Sequence, residues 1–459
     1  MITGINDFKK VFFIGIAGTG MSALAQYLAA IGKSVAGSDR YFITGVENEI
    51  REKLQREGIN CFLQNGEGLG ADSDLVIVST AVEDTVAEVQ KAKELNIPII
   101  KRSALLSLIA NSKRTIAVGG TSGKSTTSAM LYEILDFAGL GPGIISGAGL
   151  ISLIKDGKIG NAKAGTGEWL VIEADESDGS IVEYTPEIGV LLNIDKDHKE
   201  VDALMEIFNT FKKNTRRLFI VNQSQAGSRQ LSTGIAHDFA TEPGEGAGFI
   251  ATDFTQQGLS ISFTINATEF VLQTVGHHNM ENALAASAVA CQLGVDLAVC
   301  AAALKNYHGI YRRHQVLGKK HAVWVIDDYA HNPVKCAVSI KACQSIAPRV
   351  IAWFQPHGYG PTKFLRKDFV HEIARALRPS DEIWMSEIFY AGGTTTKDIS
   401  AADLIEDLNK EGAAAFFVEN RDEFLQSVRP HLHGDCVLLL MGARDPSLEH
   451  FASGIFQQL

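Results

Sequence analysis

Residues 114–139 read RTIAVGGTSGKSTTSAMLYEILDFAG. Thr115 to Val118 form a short apolar, β-branched run, which Gly119, Gly120 and Gly123 interrupt. From Lys124 onward the apolar residues recur at helical spacing. A strand that feeds a helix through a tight glycine loop opens a parallel α/β unit. The same loop predicts chemistry. Its backbone N–H groups aim at phosphate oxygens, Lys124 reaches β- and γ-phosphates, and the Ser125 hydroxyl suits Mg2+. The strict GxxxxGK[ST] pattern needs glycine at position 118, where Val118 stands, so the stretch fits the shorter form A-x-x-G-T-x-G-K. An ordinary strand–helix turn is the plainer alternative. The position of Gly120, Gly123, Lys124 and Ser125 between a strand and a helix start favours the phosphate loop.

The same rhythm extends to both sides. KVFFIGIAGTG (10–20) is strand then turn, MSALAQYLAAIG is helix, and SVAGSD is the next strand. EWLVIEADESD (168–178) and IGVLLNID (188–195) are strands after the phosphate loop. Between 248 and 275, GFIATDF, LSISFTI and TEFVLQT alternate with period two and predict antiparallel strands. From about residue 319, AVWVIDDYA, RVIAWF, EIWMSEIF, AAFFVEN and DCVLLLMGA alternate with helices. Three blocks follow, with expected boundaries 1–108, 109–318 and 319–459.

Composition narrows the function classes. The 459 residues carry a formal charge of −11 and no long Lys/Arg run. A nucleic-acid binder needs a concentrated basic face, so that class is set aside. Small phosphates need only local N–H groups and one or two cations. The longest apolar runs are strand-sized, too short to span a bilayer as a helix. The N-terminus lacks a signal-peptide layout, because its apolar run leads straight into a glycine turn. Six cysteines without CxxC spacing read as buried thiols, which predicts a reducing, cytoplasmic setting.

Further polar clusters stand at predicted strand ends. GIAGTG (15–20) keeps Gly15 and Gly20 of a dinucleotide fingerprint but has Ala17 at its centre. Asp39, 19 residues beyond Gly20, is near where an acid meets a ribose hydroxyl. Alone, this turn fits NAD, FAD, a UDP-sugar or no ligand. VIEADESD (171–178) sets Glu173, Asp175, Glu176 and Asp178 together, and such carboxylates need a cation or screening water. Asp197 and His198 follow one strand later. In GHHNMENALAA (276–286), Asn279 is a candidate N-cap, and His278 and Asn282 share a helix face that suits a base. Arg312 and Arg313 precede the last block, where cations can reach phosphates. IDDYAHNP (326–333) and WFQPHGYGPTK (353–363) deliver polar loops at the carboxyl ends of two strands, the edge where open α/β sheets bind ligands.

Taken in order, GIAGTGMSALA, GTSGKSTT, EADESD, NIDKDH, HHNMENALAA, YRRHQVLG, DDYAHNP, FQPHGY and MGARD resemble the Mur ligase family of peptidoglycan synthesis along essentially the whole chain. The resemblance is nearest to the branch that joins L-alanine to UDP-N-acetylmuramate. It implies an α/β protein of three domains. These are an N-terminal Rossmann-like UDP-sugar-binding domain, a central P-loop ATPase domain with a mainly parallel sheet plus a small antiparallel one, and a Rossmann-like C-terminal domain for the amino substrate. It further implies an ATP- and Mg2+-dependent amide ligase working through an acyl phosphate, with no nucleic-acid or membrane partner.

By the same resemblance, Gly15, Ala17, Gly18, Thr19, Gly20, Met21, Ser38 and Asp39 hold the UDP part. Gly120, Thr121, Gly123, Lys124, Ser125 and Thr126 hold the ATP phosphates with Arg313, while Asn282 reads adenine and Asp327 lies near ribose. Ser125 and Glu173 hold Mg2+, and His198 serves a second metal. Lys124, Glu173, His198 and His357 are the implied catalytic set. Tyr329, His331, His357, Tyr359 and Lys363 lie toward the amino substrate. Two departures stand out. Alanine-adding relatives carry QPHRYTR-like loops, where this chain has Gly358 and Pro361, and they carry DDYGHHP where it has DDYAHNP. Arginine grips a carboxylate with a fork that glycine cannot replace. The amine donor therefore stays open between L-alanine, another amino acid and a preformed peptide. A nicotinamide-dependent dehydrogenase built on GIAGTG is a remote alternative that leaves residues 117–127 without a role.

Overall fold

The computed structural model describes residues 2–79, 82–177, 179–195, 200–242, 246–390, 392 and 396–459. Strands β1 (Lys10–Ile14), β2 (Ser34–Asp39), β3 (Asn60–Leu63), β4 (Leu75–Val78) and β5 (Ile99–Lys101) form a sheet in the order β3-β2-β1-β4-β5. All of its pairings are parallel. The strand order reverses at β1, so the glycine turn after β1 occupies the topological switch point where such sheets bind ligands.

A second sheet runs β11-β10-β6-β9-β7-β8, from β6 (Arg114–Gly119), β7 (Gly143–Ile145), β8 (Ala162–Lys163), β9 (Trp169–Glu173), β10 (Ile188–Leu191) and β11 (Leu218–Val221). Only the β7–β8 pair is antiparallel. Strand β6 lies between β10 and β9, with Gly119 opposite Leu191 and Val118 opposite Glu173. Three neighbouring parallel strands thus end together, and their loops meet.

Strands β12 (Phe239–Ala240), β13 (Phe249–Gln257), β14 (Ser260–Ile265) and β15 (Thr268–Leu272) form a sheet in chain order. Burial alternates along β14, as the period-two reading of 248–275 predicts. The two-residue β12 joins β13 in parallel, an addition that no periodicity could announce.

The last sheet runs β16-β17-β21-β18-β19-β20, from β16 (Gln315–Lys320), β17 (Val323–Asp328), β18 (Val350–Gln355), β19 (Glu382–Met385), β20 (Ala414–Phe417) and β21 (Cys436–Gly442). Only β16–β17 is antiparallel. Every residue of β21 is buried. Successive residues face opposite cores: Ile326, Phe354 and Met441 enter one cluster, while Val325, Trp353 and Leu440 enter the other. Burial on both faces explains why these strands read as continuous apolar runs. Each fully buried large apolar side chain contributes about 1.5–3 kcal/mol.

By contacts the chain forms two compact units. One comprises Met1–Asp253, Phe263–Val271 and Met280–Ile310, and the other comprises Phe254–Ser262, Leu272–Asn279 and Tyr311–Leu459. Within the first unit a single apolar cluster runs from Phe8 and Leu24 through Leu105 and Ile109 to Leu170, Phe208 and Leu231. The expected boundary at 108 falls inside helix Arg102–Asn111, whose Leu105, Leu106, Ile109 and Ala110 are buried. All six cysteines are free thiols, and five are buried. Among the described residues no helix is long and apolar enough to cross a membrane.

Candidate active site

Gly123 caps helix Lys124–Phe137 in the left-handed region, at φ 86°. A Cβ there would stand 2.5 Å from Asn282 Oδ1, so both conformation and space require glycine. Asn193, just beyond β10, braces the loop. Its Oδ1 accepts from Ser122 N at 2.8 Å and Thr121 Oγ1 at 2.9 Å, and its Nδ2 donates to Ser122 O at 3.1 Å. Lys124 Nζ donates to Gly120 O and to Glu176 Oε2, both at 2.7 Å. Ser125 Oγ donates to Glu173 Oε2 at 2.9 Å. Glu173 Oε1 accepts from Ser146 Oγ at 2.6 Å and Gly147 N at 2.7 Å. Thr127 Oγ1 donates to Asn282 Oδ1 at 3.1 Å, while Thr126 is half-buried in the first turn.

Glu173 and Glu176 are therefore divided between the serine and the lysine of the phosphate loop. Burial acts to raise the pKa of Asp175, but Lys124 and the hydrogen bonds from Ser177 hold it below the ordinary value. The Ser125 hydroxyl and the Glu173 carboxylate are oxygen ligands of the kind Mg2+ takes. Among the described residues no group of three His, Cys, Asp or Glu could hold a metal. Asp178, Asp197 and His198 lie outside the described residues.

The turn after β1 is tied to the end of β2. Gly15 N and Ile16 N donate to Ser38 O at 2.8 and 3.0 Å. Asp39 Oδ2 accepts from Ala17 N at 2.9 Å and its Oδ1 from Tyr41 N at 3.0 Å. Asp39 thus shapes the turn itself. Gly18 is the N-cap of helix Thr19–Ala30, Met21 is buried, and Thr19 O accepts from Asn161 Nδ2 at 2.7 Å. Gly20 is the close-approach point, because a Cβ there would lie 3.0 Å from Arg102 Cδ and 3.2 Å from its Nη1. Arg102 and Asn193 were both missed in the sequence. The signal for Asn193 is its place two residues past the apolar strand β10; Arg102 offers only its position at a helix start.

In the second unit, Arg312 makes a fork with Asp327, Nε to Oδ2 at 2.9 Å and Nη2 to Oδ1 at 3.2 Å. Asp327, expected beside a ribose, is only 3% exposed, and burial outweighs Arg312 in raising its pKa. Arg313 lies 4.8 Å over the Tyr329 ring, Tyr329 meets His331 edge-on at 5.6 Å, and His331 is 5.8 Å from His357. Desolvation first, then Lys335, pushes the His331 pKa down to about 3. Asn332 caps helix Pro333–Cys343 by accepting from Lys335 N at 2.9 Å.

His278 lies 5.3 Å from His314, and desolvation followed by His314 pushes its pKa to about 3. His278 falls in the second compact unit and Asn282 in the first. Helix His277–Cys291 begins before Asn279, so Asn279 is no N-cap. Its side chain donates to Thr274 Oγ1 at 2.9 Å and Val275 O at 2.8 Å.

After β18, Gly358 takes φ 74° and starts helix Tyr359–Phe364. Its N donates to Phe389 O at 2.8 Å, and Phe389 N returns to Pro356 O at 2.8 Å. Tyr359 packs 5.5 Å from Tyr390, and Lys363 pairs with Asp398. Arg421, also missed in the sequence for want of any local motif, pairs with Asp445 and donates to Gln355 Oε1 at 3.2 Å.

Two glycine loops at the carboxyl ends of parallel strands, one with a Lys–Ser pair set against two glutamates, define a nucleotide-dependent α/β enzyme of several sheets. The chain belongs to the Mur ligase family. The model of its catalytic domain matches residues 10–114, that of the middle domain 118–290, and that of the glutamate ligase domain 312–444. The UDP-N-acetylmuramate–L-alanine ligase of Carboxydothermus hydrogenoformans is 34% identical, over 96% of this chain and 95% of that protein. Its namesake from Syntrophomonas wolfei is 32% identical over 95% of each. The crystal structure of the Thermotoga maritima UDP-N-acetylmuramate-alanine ligase superposes with a TM-score of 0.80 at 26% identity, over 98% of both chains. A murein peptide ligase from Psychrobacter arcticus, 20% identical with a TM-score of 0.68 over 98% of both chains, shares the fold.

Proposed function

We propose that this protein joins L-alanine to UDP-N-acetylmuramate, with ATP hydrolysed to ADP and phosphate. The observation that carries the reading is the pairing of Lys124 with Glu176 and of Ser125 with Glu173, in a chain 34% identical to an L-alanine ligase across its length. In this reading the lactyl carboxylate attacks the γ-phosphate of ATP, and ADP leaves. The amine then attacks the carbonyl carbon of the acyl phosphate, loses a proton, and phosphate departs as the amide forms. A carboxylate approaching a phosphoryl oxygen at 4 Å meets about 4 kcal/mol of repulsion per unit pair at an effective dielectric of 20. The Lys124 ammonium reverses that sign. Ser125 and Glu173 would hold Mg2+, which would supply further positive charge at the phosphates.

The roles of the remaining residues are proposals of the same reading. Gly120, Thr121, Gly123 and Thr126 present the loop backbone to the phosphates, with Asn282 toward adenine. Gly15, Ala17, Gly18, Thr19, Gly20 and Met21, held by Ser38 and Asp39, take the UDP part, and Arg102 adds a cation there. Tyr329, His331, His357 and Tyr359 serve the amine. The domains are proposed as 1–108, 109–318 and 319–459. A second donor is favoured by one observation, the glycine at 358 where an arginine is usual.

Mass spectrometry of the product from UDP-N-acetylmuramate, ATP and a mixture of amino acids and peptides tests this. An adduct heavier by one alanine residue is expected. A different adduct, or none, would overturn the choice of L-alanine. Lys124→Ala is expected to abolish ATP-dependent product in a chain that still folds.

A further inference from the structure

Strands β18 and β21 run parallel, and Gln355 pairs with Gly442 at their last register position. The approach there is close: a Cβ on Gly442 would lie 3.4 Å from Gln355 O. Two residues beyond Gln355 is His357, and two beyond Gly442 is Arg444. Arg444 is exposed and takes φ 64°, a region that L side chains rarely adopt. Among the described residues it has no hydrogen bond or ion pair. Its neighbour Asp445 does not neutralise it, because that carboxylate is engaged by Arg421, by Ser447 N at 2.9 Å and by Ser447 Oγ.

The other cations of this edge have partners. Arg312 holds Asp327, Arg313 lies over Tyr329, Lys363 holds Asp398, and Lys397 lies 5.7 and 5.5 Å over the Tyr359 and Tyr390 rings. Gly358 and Pro361 carry no charge. An amino acid that presents its amine for attack must have its carboxylate held, and a guanidinium fork matches a carboxylate in shape and charge.

We propose that Arg444 binds the carboxylate of the amino substrate, as a specificity-determining residue of the ligase reaction proposed above, on which it rests. The guanidinium that this chain lacks at 358 is supplied from the neighbouring strand end. The strained backbone at 444 is explained as the conformation that presents it.

The test uses Arg444→Gly, which suits φ 64° and keeps the fold, beside Arg444→Lys. Steady-state rates are measured with L-alanine and with L-alaninamide, which lacks the carboxylate. In Arg444→Gly the KM for L-alanine is expected to rise about 10–100-fold, with kcat less affected, while kcat/KM for L-alaninamide stays within about twofold. Arg444→Lys is expected to recover part of the loss, as a point charge without the fork. An unchanged KM for L-alanine in Arg444→Gly, with the native chain active on L-alanine, would overturn this inference alone. A native chain that forms no L-alanine adduct would overturn the functional reading and this inference with it.

Discussion

Lys124 Nζ stands 2.7 Å from Glu176 Oε2, and the two side chains are only 16% and 5% exposed. A buried ammonium that awaits phosphates needs a counter-charge, and Glu176 supplies it from the end of the neighbouring strand's loop. Removing one member of such a pair leaves the other charge buried without its partner, at a cost of about 3–5 kcal/mol. Lys124→Ala is therefore expected to lower the denaturant midpoint as well as abolish turnover. The double variant Lys124→Ala/Glu176→Gln is expected to regain most of the stability and none of the activity. Recovery of phosphate release in the double variant would remove Lys124 from the chemistry.

Ser146 holds the carboxylate oxygen of Glu173 opposite the one that meets Ser125. If Glu173 binds Mg2+, its orientation depends on that hydroxyl. Groups that orient a metal ligand typically change affinity by about 10–100-fold when removed. Ser146→Ala is expected to raise the Mg2+ concentration for half-maximal rate within that range and leave the fold intact. A Mg2+ titration of the variant checks it, and an unchanged midpoint would count against Glu173 as the ligand.

Gly358 has φ 74° and ψ 121°, and a Cβ there would lie 3.3 Å from the Pro361 ring. Gly358→Ala is expected to destabilise the protein by about 1–3 kcal/mol through backbone strain. Restoring arginine at this one position would meet the same strain, so Gly358→Arg is not expected to recreate the loop of its relatives. Urea denaturation of both variants measures the cost.

His278 and His331 both titrate near pH 3, against 6.5 when unfolded. Between these values the unfolded chain binds more protons than the folded one, so stability rises with pH. It is full above pH 6.5 and is lost as the pH falls below that value. Each group contributes at most about 1.4 kcal/mol per pH unit. Denaturation at pH 7.0, 6.0 and 5.0 is expected to show the decline, and His331→Gln is expected to make it shallower. A native curve flat from pH 7.0 to 5.0 would show that these imidazoles take up protons freely.

Local chemistry determines much of this protein independently of any tertiary contact. The glycine loop at 119–123 was legible because a strand end, two left-handed glycines and a helix start are adjacent in the chain. The parallel sheets were legible because strands buried on both faces must be apolar throughout, as CVLLLMG at 436–442 is. The acidic run 173–178 reads as a candidate site, but which carboxylate meets which partner depends on strand register, and Val118 opposite Glu173 sets that register. Asn193, Arg102 and Arg421 act on residues 71, 82 and 66 positions away along the chain, at Ser122, Gly20 and Gln355. No periodicity or short motif encodes such distances. Lys363 is close in sequence to His357 yet is held by Asp398, while Arg444, 87 residues from His357, stands at the adjoining strand end without a partner among the described residues. The sequence determined the kinds of strand, loop and helix and the chemistry each loop offers. The tertiary structure alone decided which of the charged groups neutralise one another and which remain for a ligand, because ion pairing depends on distance in space.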